Sequence, residues 1–221
     1  MLFFGGNGEQ HIPGLRGVGL AYSPDLHNWT MKQDNPVVTV ATGELRQWGA
    51  GDLVVRVYPV GVRQYKDKWY LFLMVGGPAA DSTGPRQLVY NVGVLVADRP
   101  EGPWHDTGSN PILTRGASGQ WDAEGLFAPG GISFHDGRWI LTYANRFGHV
   151  GFAVSDSDDP TTGWTKAPDN PYIEGTEARR GTILIPHDDT WLLLYSALHP
   201  EADLNVGDPR ELYILRYQVP R

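Results

Sequence analysis

A chain of 221 residues with 41% hydrophobic content is long enough to bury its own core, and 18 basic against 25 acidic residues, net −7 with no cationic stripe, exclude the usual footprint of a nucleic-acid partner. Cysteine is absent, which excludes disulfides, a thiolate metal site and a thiol nucleophile. No apolar run approaches the roughly 20 residues needed to span a bilayer, and the N-terminal MLFFGGNGEQ has neither the basic region nor the apolar length of a signal peptide, so the chain as written is expected in the cytoplasm, away from membranes.

From the N-terminus, the pattern is one of short β-strands. LFFGG (2–6) leads to Val18-Gly19, then to a turn closed by Trp29, then to Asn35-Pro36. GAGDLVVRVYP is followed by KWYLFLMVGG (68–77), Val92-Gly93, Trp104 and Asn110-Pro111. QWDAEGLFAPGG is followed by RWILTYAN (138–145), Val150-Gly151, Trp164 and Asn170-Pro171. EGTEARRGT, TWLLLYSA (190–197) and ELYILRYQVP close the chain. In each of the three copies the same five residues' spacing separates Trp from Asn-Pro, whereas the turn between Val-Gly and Trp varies. A fixed frame around variable turns is a structural repeat.

The second repeat, the Trp-led apolar strand, is entered through Lys66-Asp67, Asp136-Gly137 or Asp188-Asp189, turn residues that mark the second strand of a hairpin. A proline stands ten residues before Trp69 and before Trp139, at Pro59 and Pro129, and Gly181 holds that place before Trp191. No segment keeps helical spacing for more than about two turns. Strands apolar on both faces suit sheets stacked between neighbours, and units about 50 to 75 residues apart suit four-stranded blades. The fold class is therefore all-β, a β-propeller in one domain over 1–221: a partial blade at 1–40 and blades at about 51–113, 121–173 and 177–219. Because Leu2 to Gly6 matches the end of the strand at Leu71 to Gly77, the first blade is expected to begin after its first strand, with either upstream sequence or another segment completing it.

AYSPDLHNW followed by Asn-Pro, the Asp-Gly-x-Trp strands and WDAEGLFAPGGISFHDGRWILTYA (121–144) resemble the five-bladed propeller glycosidases, glycoside hydrolase families 43 and 32 and their relatives, over essentially the whole chain. The resemblance implies an O-glycosyl hydrolase acting on arabinofuranosides, xylosides or fructosides, with carboxylates from the innermost strands of the first three blades at one end of the central channel. It implies a carbohydrate partner and no cofactor. The chemistry needs one protonated carboxyl for the leaving oxygen and one ionised carboxylate for water or the anomeric carbon. Glu124, in an Ala-Glu-Gly stretch like the family's Glu-Gly-Pro, is the candidate acid, and Asp52 the candidate tuning carboxylate. The family's base would lie before Met1. Aligned on Pro59, Tyr58 stands where the family has Asp, and aligned on Pro129, Gly130 does.

Asp122, Arg56, Trp48, Trp121, Glu177 and Arg179 are candidate sugar-binding residues, the two tryptophans as stacking platforms. The turn cap is the favoured reading of Asp122 and core packing that of both tryptophans. Trp29, Trp104 and Trp164 read as packing residues of the outer strands, and the seven histidines lack zinc-site spacing, so no metal is assigned. Two other function classes fit. One is a carbohydrate-binding propeller without turnover, which Tyr58 and Gly130 favour. The other is a sialidase-like propeller, suggested by Ser23-Pro24-Asp25 before Trp29 and by the Arg179-Arg180 pair.

Overall fold

The computed structural model describes residues 1–6, 17–40, 45, 48, 56–78, 88–174, 180–187, 190–198 and 210–217. Among these there is no α-helix, and the chain forms two compact units, Met1–Thr114 and Arg115–Arg221, each holding two antiparallel sheets. The four sheets are the blades and part-blades that the repeat announces. In the first unit, β1 (Leu2–Gly6), β2 (Gly17–Tyr22) and β3 (Thr30–Met31) pair in that order, with β4 (Val38–Thr39) also on β2. The second sheet is a meander of β5 (Arg56–Tyr65), β6 (Lys68–Pro78), β7 (Leu88–Ala97) and β8 (His105–Asp106). In the second unit, β9 (Phe127–His135), β10 (Arg138–Ala144), β11 (Val150–Ser155) and β12 (Thr165–Lys166) form the equivalent meander. The last sheet is β13 (Arg180–His187), β14 (Thr190–Leu198) and β15 (Arg210–Tyr217). β1 pairs with β2 as β6 pairs with β7 and β10 with β11, so β1 holds the second place of the blade pattern.

The turn chemistry follows the sequence. Lys66 (φ 47°) and Asp67 (φ 61°) join β5 to β6, and Asp136 (φ 50°) and Gly137 (φ 77°) join β9 to β10, the two left-handed residues that a tight hairpin of this twist demands. Each innermost strand changes register at the repeat's proline or glycine: between Pro59 and Gly61, opposite the Thr142 to Ala144 step that faces Pro129, and between Arg180 and Ile183 around Gly181. A proline has no N–H for the ladder, so a bulge is where a paired strand tolerates it.

Burial is two-sided in the middle strands. Leu71, Phe72 and Leu73 are all fully buried in succession on β6. Leu71, Leu73 and Val75 join Val18 and Val38 of the neighbouring sheet in one core cluster. In the second unit, Leu193, Tyr195 and Ala197 of β14, alternating along the strand, meet Ile140, Phe152 and Leu184. Each buried Leu or Phe contributes about 1.5–3 kcal/mol. The Ser133 hydroxyl of β9 donates to the Leu184 carbonyl of β13, tying the two innermost strands of this unit.

The Val-Gly and Asn-Pro repeat turns out to be one hydrogen-bonded device. In each copy the asparagine Oδ1 accepts from, and Nδ2 donates to, the backbone of the residue after the glycine: Asn35 with Leu20 (2.8 and 2.9 Å), Asn110 with Val94 (both 2.8 Å) and Asn170 with Phe152 (2.9 and 2.8 Å). The side-chain amide thus stands in for an absent fourth-strand peptide. The chain then returns to the valine, where Val37 N–H donates to the Val18 carbonyl and Leu113 and Ile173 bridge to Val92 and Val150. The glycine is required by space: a Cβ on Gly93 would lie 2.5 Å from the Trp48 ring and 2.7 Å from Asn110 Oδ1, and one on Gly151 would lie 2.6 Å from Trp121 and 2.7 Å from Asn170 Oδ1. Truncating Asn110 or Asn170 to Ala strands a buried N–H and C=O together, and is expected to cost about 2–4 kcal/mol each in urea unfolding. Asn110→Asp should cost nearly as much, since a carboxylate accepts from Val94 N–H but cannot donate to its carbonyl.

Candidate active site

β9 begins where β10 ends and β11 begins: Phe127 and Val150 both pair with Ala144. That end of the sheet carries two loops, the segment 121–126 leading into β9 and the hairpin 145–149 between β10 and β11. The sequence candidates Trp121, Asp122 and Glu124 all lie in the first.

The segment is held on both sides of Glu124. Trp121 stacks on Tyr143 with centroids 5.3 Å apart and an interplanar angle of 23°, and its carbonyl accepts from Asn145 Nδ2 at 2.7 Å. Asp122 is 1% exposed, and its Oδ2 accepts from Lys166 Nζ at 2.6 Å and from the Tyr143 hydroxyl at 3.3 Å. Burial first, then the Asp122 charge, push the Tyr143 phenol far above its ordinary value, so it remains a neutral donor. Asn170 Nδ2 completes the chain of bonds, reaching Tyr143 Oη at 3.3 Å. The Asp122 carbonyl accepts from Gly125 N–H in a tight turn whose glycine has φ 120°, and Leu126 is fully buried. Asp122 is therefore an internal anchor with its carboxylate turned away from solvent.

Glu124 projects from this braced turn. Its side chain is 42% exposed, and Arg146 Nη1 donates to its Oε2 at 3.4 Å. Arg146 lies on the hairpin 145–149, a residue with no sequence signal beyond its place at a strand end.

In the first unit, Arg56 opens the innermost strand β5. Arg56 and Tyr58, two residues apart, share a face, and Arg56 Nη1 donates to Tyr90 Oη at 3.4 Å. The Tyr90 ring lies over Gly76, which pairs with both Arg56 and Tyr90 and leaves room by having no Cβ. Tyr90 above all, and Tyr58 less, raise the pKa of the guanidinium against the effect of burial. Its Nε is buried and, among the described residues, without a hydrogen-bond partner. Trp48 is fully buried on Gly93; its Nε1 donates to Asp106 Oδ2 at 2.6 Å and its carbonyl accepts from Asn91 Nδ2 at 2.7 Å, so no face of the ring is presented to a ligand. Trp48 and Trp121 occupy the same place in their blades, each over the glycine of a Val-Gly pair, which the unequal loop lengths between them conceal in the sequence.

Asp52, Glu177 and Arg179 lie outside the described residues. Glu124, with Asp122 and Trp121, sits in one unit, and Arg56 and Trp48 in the other. Asp25, in the turn likened to a sialidase motif, accepts from Asn28 N–H and Nδ2, His27 N–H and the Ser23 hydroxyl; the Asn28 backbone bond foremost holds its carboxyl far below the usual range, and the arrangement closes the turn on itself. Among the described residues no group of three or more His, Asp or Glu could hold a metal ion, and no helix is long and apolar enough to cross a membrane.

No family model matches the sequence, and no curated protein matches it. Solved structures do. The native Bacillus subtilis arabinanase Arb43A has a TM-score of 0.64 at 16% identity, with 97% of this chain and 66% of that chain covered. Zg3597, a family 117 glycoside hydrolase of the marine bacterium Zobellia galactanivorans, has a TM-score of 0.60 at 22% identity, covering 90% and 55%. An exo-1,5-α-L-arabinanase from a bovine ruminal metagenomic library has a TM-score of 0.61 at 17% identity, covering 92% and 65%. The chain thus has the β-propeller fold of the family 43 and related glycoside hydrolases, and spans 55% to 66% of the length of these three.

If Asp122 serves the fold, then Lys166→Met, which leaves a buried carboxylate without its cation, is expected to cost about 3 kcal/mol. Asp122→Asn combined with Lys166→Met should recover part of that loss in the same unfolding measurement, giving a coupling that two independent residues would lack.

Proposed function

We propose that the chain is a glycosidase that cleaves furanoside or xyloside linkages, with Glu124 as general acid. The observation that supports this most is the contrast between two neighbouring carboxylates on one braced turn: Asp122 is sealed into the sheet, whereas Glu124 is half-exposed at the end where innermost strand β9 begins, the end that the propeller resemblance assigns to substrate. Proton donation to a leaving oxygen requires a carboxyl that a bound sugar can reach and that cannot swing away. Glu124 has reach because Ala123 and Gly125 flank it with little bulk, and it has fixity because Trp121, Asp122 and Leu126 are anchored around it.

The resemblance implies Asp52 as a tuning carboxylate, and within the first unit Arg56, whose buried Nε has no partner among the described residues, is the candidate donor to a sugar hydroxyl. A buried N–H without a partner costs about 1–3 kcal/mol, which a hydroxyl acceptor would return. Neutral arabinan, xylan or fructan is the substrate class. The second reading, a propeller that binds carbohydrate without cleaving it, is favoured by Tyr58, which occupies the β5 position where the resemblance calls for Asp and is instead engaged with Arg56.

The test compares leaving groups. Glu124→Gln should lower kcat/KM on arabino- or xylo-oligosaccharides by about 10²–10⁴-fold, the usual worth of a general acid. The loss should be much smaller on aryl glycosides whose phenolate leaves without a proton, with the melting temperature unchanged. Equal losses on both substrates would remove Glu124 from proton transfer. Retention of the wild-type chain by these polysaccharides with no hydrolysis of any would establish the second reading.

A further inference from the structure

The hairpin 145–149 carries an exposed aromatic ring on a backbone that is tightly held. Phe147 is 53% exposed. A single exposed phenylalanine is ordinary on a protein surface; this one differs in how its backbone is held and in what stands beside it. Asn145, 3% exposed, is the clamp: its Oδ1 accepts from Phe147 N–H at 2.9 Å and from His149 N–H at 3.0 Å, its own N–H donates to the His149 carbonyl at 2.9 Å, and its carbonyl accepts from Gly148 N–H at 3.2 Å. Gly148, at φ 87°, lets the chain reverse over so short a span. The same asparagine's Nδ2 holds the Trp121 carbonyl, so one buried amide fixes both the loop bearing Glu124 and the loop bearing Phe147. Arg146 closes the group, with its guanidinium 5.6 Å from the Phe147 ring centroid and 3.4 Å from Glu124 Oε2.

We infer that Phe147, with Arg146, is a sugar-stacking platform that docks one ring of a neutral oligosaccharide beside Glu124. The inference rests on the carbohydrate part of the function proposed above. A sugar ring has an apolar C–H face and a hydroxyl rim, and an aromatic side chain with a polar neighbour matches that division. Phe147 supplies the flat apolar surface at reduced ordering cost, since its backbone is already held by Asn145 and two side-chain torsions are all that remain to be ordered. Arg146 and Glu124 supply donors and acceptors at the edge of that surface. The platform suits a neutral sugar better than a uronate: Arg146 Nη1 already donates to Glu124 Oε2, and a uronate carboxylate would compete with that bond.

The experiment measures binding without turnover. Thio-linked, hydrolysis-resistant arabinotriose and xylotriose, and a trigalacturonate, are titrated calorimetrically against the wild-type chain, Phe147→Ala and Phe147→Trp. Because the ring is exposed, Phe147→Ala should leave the melting temperature unchanged. Its affinity for the neutral probe that the wild type binds should fall at least tenfold, Phe147→Trp should restore it, and trigalacturonate should bind more weakly than the neutral probe. Unchanged affinity in folded Phe147→Ala overturns the platform, and does so while hydrolysis by the wild type leaves the glycosidase reading standing. Tighter binding of trigalacturonate overturns the neutral assignment. Phe147-dependent binding in a chain that hydrolyses nothing supports the platform and sinks the glycosidase reading instead.

Discussion

The interaction on which the rest depends is the asparagine amide that replaces a strand. A four-stranded blade with a very short outer strand leaves the backbone of its third strand unpaired beyond two residues, and unpaired buried peptide groups are not tolerated. Here β3, β8 and β12 are each two residues long, and Asn35, Asn110 and Asn170 supply the next donor and acceptor from a side chain. The amide must come close, which is why the facing residue is glycine. The vacant Cβ position is then filled from the other side by Trp48 over Gly93 and Trp121 over Gly151. In these two sheets the satisfied peptide is thereby backed by a tryptophan that precedes, in sequence, the innermost strand of the same sheet; in the first sheet Phe4 takes that place over Gly19.

The two complete meanders use this platform with opposite charge. The second residue of the outermost strand faces the same row in both, Asp106 opposite Leu95 and Lys166 opposite Ala153. In the first unit Asp106 accepts from the Trp48 indole, from Asn110 Nδ2 and from Gly108 N–H, so its carboxylate is satisfied by neutral donors. In the second, Lys166 meets Asp122, and Trp121 turns to stack on Tyr143. With a lysine in that row, the partner is an acid, and it comes from the turn that leads into β9. The buried carboxylate of Asp122 is thus matched by Lys166.

The repeat frame made the fold legible. Constant spacing from Trp to Asn-Pro, turn residues at Lys66-Asp67 and Asp136-Gly137, and apolar strands around Trp69, Trp139 and Trp191 locate the strands that the structure shows, and the proline positions locate the bulges. The site was less legible, for a physical reason. Sequence spacing reports periodic backbone pairing, whereas the anchors of the site pair across 44 residues, as Lys166 does with Asp122, or 43, as Asn91 does with the Trp48 carbonyl. Trp48 and Trp121 looked alike as candidate platforms because both precede an innermost strand, and only the contact with glycine shows that this shared position is a structural one. Arg146 and Phe147 carried no signal, since a hairpin tip has no periodicity to violate.

A propeller built this way separates what must be constant from what is free to vary, and the separation determines where new chemistry can arise. Every residue that holds the third strand, Asn170, Gly151, Trp121 and Tyr143 in the second unit, is engaged on at least one side by backbone or by another member of the set. Replacing any of them strands a partner. Between the anchors, Ala123, Glu124 and Gly125 span a single turn whose ends are fixed, and Arg146, Phe147 and Gly148 span another. Side chains in those intervals change at little cost to the fold, yet inherit the precision of the anchors on either side. A carboxylate or an aromatic ring placed there is positioned mainly by the backbone on either side, with Arg146 as a side-chain neighbour that Glu124 and Phe147 share, and a backbone held in this way is the support that a group reaching into solvent needs.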